Sequence, residues 1–286
     1  MVIIRCGHKH LGGFFMTTCP KCGTFRIKKY GKRKNKRGVF QKFRCKTCGY
    51  QFIDDDFLGM QTPKEVVAFA IRLWIRGLSP ASIVEEIRIV YKLDRSETCV
   101  YYWVEKYQPL FKAINDMPLC GISKRLHWDY TYLKIDGEDA YLWALKCPET
   151  KLIVGWIITT TRNLDDAKAS LREAKRHFPV SYHLEETVSD GEQNFPRAIW
   201  EVFDHEVEHY RYKGFVDKKN NNMIETLWRF KDNIPTFRTL KQANNFFTIW
   251  VAMYNMKKSR QVSESREVHR LMKMVEICSE TSIQVL

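Results

Sequence analysis

Three carboxylates and four thiols are the residues of this chain whose types and spacing could do chemistry. Asp129 stands in Leu126-His127-Trp128-Asp129-Tyr130-Thr131, Asp190 in Val188-Ser189-Asp190-Gly191, and Glu225 is the only acid between Asn220 and Lys231. The stretch 191 to 224, 34 residues, separates the second from the third. Aromatic and β-branched residues around Asp129 and before Asp190 read as strands. Ile224, Leu227 and Trp228 recur at the i, i+3, i+4 spacing of a helix, with Glu225 and Arg229 beside the apolar stripe. Two strands and a helix can bring three carboxylates to one point. Hard oxygen ligands of that kind suit Mg²⁺ or Mn²⁺. Empty, carboxylates about 4 Å apart would repel by roughly 4 kcal/mol at an effective dielectric near 20.

The thiols make a second constellation. Cys19-Pro20-Lys21-Cys22 and Cys45-Lys46-Thr47-Cys48 are each followed by Gly, which is the double-knuckle pattern of a zinc ribbon. Two tight turns with two thiolates apiece supply the four soft tetrahedral ligands of one structural Zn²⁺. Metal binding of about 10 to 16 kcal/mol would let so small a module fold without much core. Cys6, His8 and His10 precede Met16, a candidate start codon, so residues 1–15 are read as a leader that need not be native.

Charge surrounds those thiols. The 286 residues carry 47 Lys+Arg against 33 Asp+Glu, a formal net charge of +14, which favours a polyanionic partner. Twelve basic residues and no acid lie between Cys19 and Ile53. Residues Lys28 to Arg37 read as a basic hairpin loop, interleaved with Tyr30, Phe40 and Phe43, whose Lys28, Lys29, Lys32, Arg33, Lys34, Lys36 and Arg37 suit phosphate contact. No apolar run reaches the ~18 residues of a membrane span, and Met1 to Met16 lacks the pattern of a signal peptide. A cytoplasmic, nucleoid-associated protein with no membrane partner is expected, its cysteines reduced or metal-bound.

The elements that must position the carboxylates follow in order. Asp54-Asp55-Asp56 marks a linker after the ribbon, taken as residues 16–58. Thr62 caps a helix with Pro63 at its first position. Gly77-Leu78-Ser79-Pro80 turns into a second helix, and a third begins near Ser96. Three short helices over 59–118 resemble a helix-turn-helix DNA reader, although the third is poor in Arg. From 119 the pattern becomes strand-rich. Arg125 to Ile135, Ala140 to Lys146 and Leu152 to Thr161 make an antiparallel meander, joined at Asp136-Gly137 and Pro148-Glu149-Thr150. A helix capped by Asn163 or Asp165, a strand ending at Asp190, a helix from Asn194 to Phe203 and a strand from His205 to Tyr210 come next. Pro235 ends the Glu225 helix, and a further helix through Phe246, Phe247 and Trp250 closes the domain at 258. Residues 259–286 are a tail. Asp136 and Asp139 are rivals of Asp129, but a hairpin turn lies further from the sheet centre. His127, Ser189 and Cys120 form no nucleophile elbow or Cys-His pattern and are read as local structure.

On Trp128-Asp129, Ser189-Asp190-Gly191 and Asn221-Asn222-Met223-Ile224-Glu225, the chain resembles the DDE transposases of bacterial and archaeal insertion sequences over roughly residues 120 to 258. That resemblance implies an α/β, ribonuclease H-like mixed sheet with flanking helices as the catalytic domain, 119–258. It implies that Asp129 bridges two metal ions while Asp190 and Glu225 each complete one. It implies a transposase that cleaves DNA and transfers the strands of its own element, acting on element ends and target as a homodimer or higher oligomer. Arg229 and Lys231 are candidates to grip DNA phosphates. The family pattern has a basic residue two turns after the glutamate, and here that position is Asp232. A ribonuclease H-like nuclease or resolvase is the alternative within enzymes. A non-catalytic, zinc-dependent DNA-binding regulator is the alternative outside them.

Overall fold

The computed structural model describes residues 19, 21–22, 24–35, 38–53, 62–117, 119, 121–189, 193–203, 207–211 and 234–258. They fall into two compact units, Met1–Phe69 with Ser263–Leu286, and Ala70–Val262. No helix among the described residues is long and apolar enough to cross a membrane.

In the first unit β1 (Ile27–Asn35) and β2 (Gly38–Cys45) form an antiparallel hairpin, and β3 (Gln51–Ile53) pairs with β2. Lys28, Lys29, Lys32, Arg33 and Lys34 therefore lie in a strand, not in the hairpin loop expected from their charge. Pairing continues to Asn35 opposite Gly38. Lys36 and Arg37 themselves lie outside the described residues. A register shift between Lys29 and Lys32, where Gly31 takes a φ of 75°, puts a bulge in β1.

Three helices follow: α1 (Lys64–Trp74), α2 (Pro80–Tyr91) and α3 (Glu97–Asn115). Ser79 caps α2, its side chain accepting from the Ser82 N–H at 3.1 Å, with Pro80 in the first turn where a missing donor costs nothing. Within the second unit α3 turns Val100, Trp103, Val104, Tyr107 and Phe111 inward. It packs against the last described helix, α6 (Leu240–Lys258). Asn115 Nδ2 donates to the Thr248 carbonyl at 2.9 Å and Lys241 pairs with Glu105 at 2.7 Å along that seam.

A five-stranded sheet is the centre of this unit. Its strands are β4 (Arg125–Ile135), β5 (Glu138–Lys146), β6 (Ile153–Thr159), β7 (Glu186–Ser189) and β8 (Glu208–Arg211), in the spatial order β6-β5-β4-β7-β8. The β4-β5-β6 meander is antiparallel, while β7 and β8 join parallel, connected through α4 (Leu164–Arg176) and α5 (Asn194–Phe203). This is the mixed sheet of the ribonuclease H-like fold, and its middle strand carries Asp129. The β4–β5 turn forms because Asp136 and Gly137 both take positive φ, 53° and 84°, the conformation an Asp-Gly hairpin turn needs.

Strand alternation sorts side chains to two faces. One face of the sheet packs Leu126, Trp128, Trp143 and Leu145 under Leu171 of α4 and Phe195, Ala198 and Ile199 of α5. At Gly155 α4 comes so near the sheet that a Cβ would lie 2.5 Å from the Ala174 Cα. On the other face Trp156 meets Phe247 of α6, ring centroids 6.0 Å apart. The outer edge of β6 is closed by Asn255: its amide accepts from the Ile153 N–H at 2.9 Å and donates to the Ile153 carbonyl at 2.8 Å, as a neighbouring strand would.

Candidate active centre and nucleic-acid interface

Asp129 lies at the middle of the central strand, opposite Ala144 of β5. Period-two alternation sends it to the face opposite Trp128 and Tyr130. Its side chain is half-buried, and Oδ1 accepts the Tyr130 N–H at 2.7 Å. On the other flank of β4, β7 runs parallel with Val188 opposite His127, and ends at Ser189. The rivals stand apart from this position. Asp139 is exposed and pairs with Lys134 at 2.7 Å, and Asp136 forms the hairpin turn. Asp190, Glu225, Arg229 and Lys231 lie outside the described residues.

Ser189 is almost fully buried, and its hydroxyl shares a 2.8 Å hydrogen bond with His209 Nε2 of β8. Burial, with Arg211 nearby, lowers the pKa of His209. Burial likewise lowers that of His127, helped by Arg125. Both rings thus favour the neutral form, and His209 ties β8 to the end of β7.

The four thiols do meet. Cys19, Cys22, Cys45 and Cys48 place their sulfurs within 4.8 Å of one another. Two of the contacts, Cys19 with Cys48 and Cys22 with Cys45, are 3.6 Å. Metal–sulfur bonds of about 2.3 Å in a tetrahedron put sulfurs about 3.8 Å apart, so the cluster has the dimensions of a Cys₄ metal site. The knuckle backbone favours thiolate. Burial works against the charge on Cys45, yet the N–H groups of Cys48 and Thr47, at 3.4 and 3.3 Å, with the neighbouring thiols, bring its pKa to about 6, while Cys22, despite the Thr24 backbone, is pushed up to about 12 by burial and the other three thiols. Gly49 closes the second knuckle at a φ of 72°, which a side chain would strain.

The ribbon's strands give the basic residues a definite face. Lys28 lies directly opposite Arg44, a like-charge cross-strand pair that is unfavourable until an anion intervenes. Tyr30, 41% exposed, lies on that same face under two cations, Lys42 Nζ at 5.4 Å and the Arg44 guanidinium at 5.6 Å from its ring centroid. Sequence reading counted Lys42 and Arg44 as charge without giving them a role. Only the strand register, which no spacing rule supplies across a bulge, aligns them with Lys28 and Tyr30. Phe43, Phe52 and Tyr50 stack separately, at 5.8 and 6.2 Å.

The chain matches one family of domains and is similar to several solved structures. The family of IS240-type transposase DDE domains matches residues 123–262, a span that includes Asp129, Asp190 and Glu225. No curated protein sequence matches the chain. Among solved structures it is similar to the Mos1 strand transfer complex, at 9% identity, 79% of this chain, 81% of that chain and a TM-score of 0.38. A simian T-cell lymphotropic virus intasome, in complex with a PP2A regulatory subunit, aligns at 13% identity over 63% of this chain and 67% of that chain, with a TM-score of 0.32. The HTLV-2 integrase catalytic core with magnesium, in its trimeric form, aligns at 13% identity over 49% and 88% of the two chains, with a TM-score of 0.29. Residues 123–262, 140 of the 286, match the DDE-domain family of transposases, and that match over just under half of the chain supports a transposase.

Proposed function

We propose that the chain catalyses metal-dependent cleavage of DNA at the ends of its own element and transfer of the resulting strands to target DNA. The observation that carries this reading is the family match over residues 123–262, joined to a central strand that holds Asp129 beside the end of β7. Asp129, Asp190 and Glu225 are its catalytic carboxylates. Their donors are all oxygen, the set that suits Mg²⁺ or Mn²⁺ and not a thiophilic metal. Two such ions, when bound, activate the attacking oxygen and stabilise the leaving one in an in-line displacement. The protein's part is to hold the carboxylates on rigid elements, and the 2.7 Å bond from the Tyr130 N–H restricts how Asp129 can turn.

The ribbon would bind one Zn²⁺ through Cys19, Cys22, Cys45 and Cys48. Lys28, Lys29, Lys32, Arg33, Lys34, Lys36 and Arg37, with Lys42 and Arg44, would contact the phosphates of double-stranded DNA, and Arg229 and Lys231 those near the reacting bond. Joining two element ends to one target calls for at least two copies, so we read the acting species as a homodimer or higher oligomer.

The test uses a duplex with the element end and a free 3′ hydroxyl, incubated with target DNA and Mg²⁺. Wild-type chain should give joined strands. Asp129→Asn, Asp190→Asn and Glu225→Gln should each lose several kcal/mol of transition-state stabilisation, about 10³-fold or more in rate, while still binding DNA. Full activity in any one of them removes that residue from the site. Cleavage without joining would make the chain a nuclease or resolvase, and no Mg²⁺-dependent cleavage at all would make it a zinc-dependent DNA-binding regulator.

A further inference from the structure

The C-terminal ends of three helices meet at the outer edge of β6. Asn115 is the last residue of α3 and His177 caps α4, and the Leu119 N–H donates to the His177 carbonyl at 3.1 Å, which ties the two ends together. Asn255, in the last turn of α6, holds Ile153 at the start of the strand. All three side chains line one open cavity of about 420 Å³ that runs along β6 from Ile153 to Ile158. That volume is in the range of small-ligand sites.

The charge around this cavity is one-sided. A helix C-terminus leaves carbonyls without intrahelical donors and carries about half a negative charge. Glu173 and Asp116 add two carboxylates to the wall. Lys112 is the only lysine or arginine that lines the cavity, and it is bound to Asp116 at 2.8 Å. Arg176, 77% exposed, pairs with Glu173 at 2.9 Å, and the Lys175 ammonium donates to the Val202 carbonyl at 3.1 Å.

Two buried acceptors in the same wall lack donors. Asn115 spends Nδ2 on the Thr248 carbonyl at 2.9 Å, and its Oδ1 is buried with no hydrogen-bond partner. His177 is 6% exposed, and Glu173 stands 3.4 Å from its Nε2. A carboxylate there favours the proton on Nε2 and leaves Nδ1 a lone pair, which is likewise buried and unpartnered. Buried acceptors left so are costly, and two at one place call for an occupant that brings N–H groups. The occupant is not a metal ion: among the described residues only the four cysteines draw close enough to hold one. Val154, Trp156, Ile158 and Val251 make the rest of the lining apolar.

We propose that this cavity binds an organic cation with N–H donors on an apolar stem, an alkylguanidinium or alkylammonium. Its head lies at the joined ends of α3 and α4, against Asn115, His177 and Glu173, and its stem lies along β6. Such a head has two sources, a free small molecule or an arginine side chain of a second copy of this basic chain. The site is independent of the function proposed above.

The probe is agmatine, a guanidinium and an ammonium joined by a short alkyl chain, titrated into the full chain without DNA. Calorimetry should show saturable binding, and thermal unfolding of the sheet domain should move to higher temperature. Tetramethylammonium, a cation without N–H groups, should do neither. Glu173→Gln keeps the shape of the wall and should weaken agmatine binding about tenfold or more, and His177→Phe, which removes both ring nitrogens, should do the same. Should His177→Phe fail to fold, Glu173→Gln decides alone. No saturable heat, an equal response to tetramethylammonium, or unchanged affinity in Glu173→Gln would each overturn the proposal. The first of these is also what water trapped against Asn115 and His177 predicts. Sedimentation separates the two sources, and either result upholds the site. A dimer that agmatine splits would put an arginine of the second copy in the cavity, and a mass that agmatine leaves unchanged would make the occupant a free cation.

Discussion

The ribbon and the sheet domain are built on opposite principles. Among the described residues 19–53 only Cys19 and Cys45 are buried, while Phe25, Val39 and Tyr50 are 59%, 60% and 44% exposed. Those two thiols, with the exposed Cys22 and Cys48, make a cluster of four sulfurs in place of an apolar core. The sheet domain buries Trp128, Trp143, Phe195, Phe246 and Phe247 almost completely, and among the described residues it holds no comparable cluster of metal ligands. With basic residues along both long strands and little apolar core, the ribbon is the kind of module that a metal at its four cysteines would close. The carboxylates proposed for the sheet domain would repel one another, and a densely packed support suits them. On the function proposed above, DNA contact falls to the first scaffold and catalysis to the second.

Removing the metal should break the comparison most strongly. Chelation, or Cys45→Ser, would forfeit apparent binding energy on the order of 10 to 16 kcal/mol from the ribbon. Circular dichroism and proteolysis should show residues 19–53 unfolding, while the thermal transition of the sheet domain stays where it was. One cooperative transition that shifts as a whole would show that the two scaffolds depend on each other.

A smaller effect should follow from opening the sheet's edge. Asn255→Leu removes both hydrogen bonds to Ile153, leaving a buried N–H and carbonyl at roughly 1–3 kcal/mol each. Denaturant unfolding of the sheet domain should register that loss, and zinc content and the ribbon's structure should not change. An unaltered midpoint would mean that the edge finds another partner.

The smallest effect concerns acid. Glu173 near the end of α4 is held at a pKa of about 2, first by His177 at 3.4 Å and then by Arg176 at 2.9 Å, against the cost of burial. A carboxyl whose folded pKa lies below its ordinary 4.5 contributes stability that is present above that value and is lost as pH falls towards 2. Partial exposure screens the pair, so Glu173→Gln should cost little at pH 7. It should flatten the decline in stability of the sheet domain between pH 4.5 and 2. A decline of undiminished steepness in the variant would assign the acid sensitivity to other groups.

Much of this was legible in the chain. Strand β4 was expected over Arg125 to Ile135 and occupies those residues, because apolar and polar positions alternate and Asp-Gly demands a turn at its end. The Cys-x-x-Cys pairs announced a cluster, because two knuckles of that spacing have few other ways to arrange four sulfurs. The basic residues of β1 were less transparent. Charge density reads as a loop, yet a strand exposed on both faces tolerates lysine at every position.

What the sequence by itself determined is which groups are present and how their local backbone turns: carboxylates for hard cations, thiols for a soft one, cations for phosphate, and the periods of strand and helix. Those are short-range properties, set by side-chain chemistry and the nearest few residues. Only the tertiary structure decided that Lys42 and Arg44 share a face with Tyr30, that Asn255 completes the edge of β6 from 102 positions away, and that Arg162 covers a row of tyrosines. Each depends on strand register or on where a helix lands. Register and helix placement are settled by the packing of the whole core and cannot be read from any single stretch of the chain.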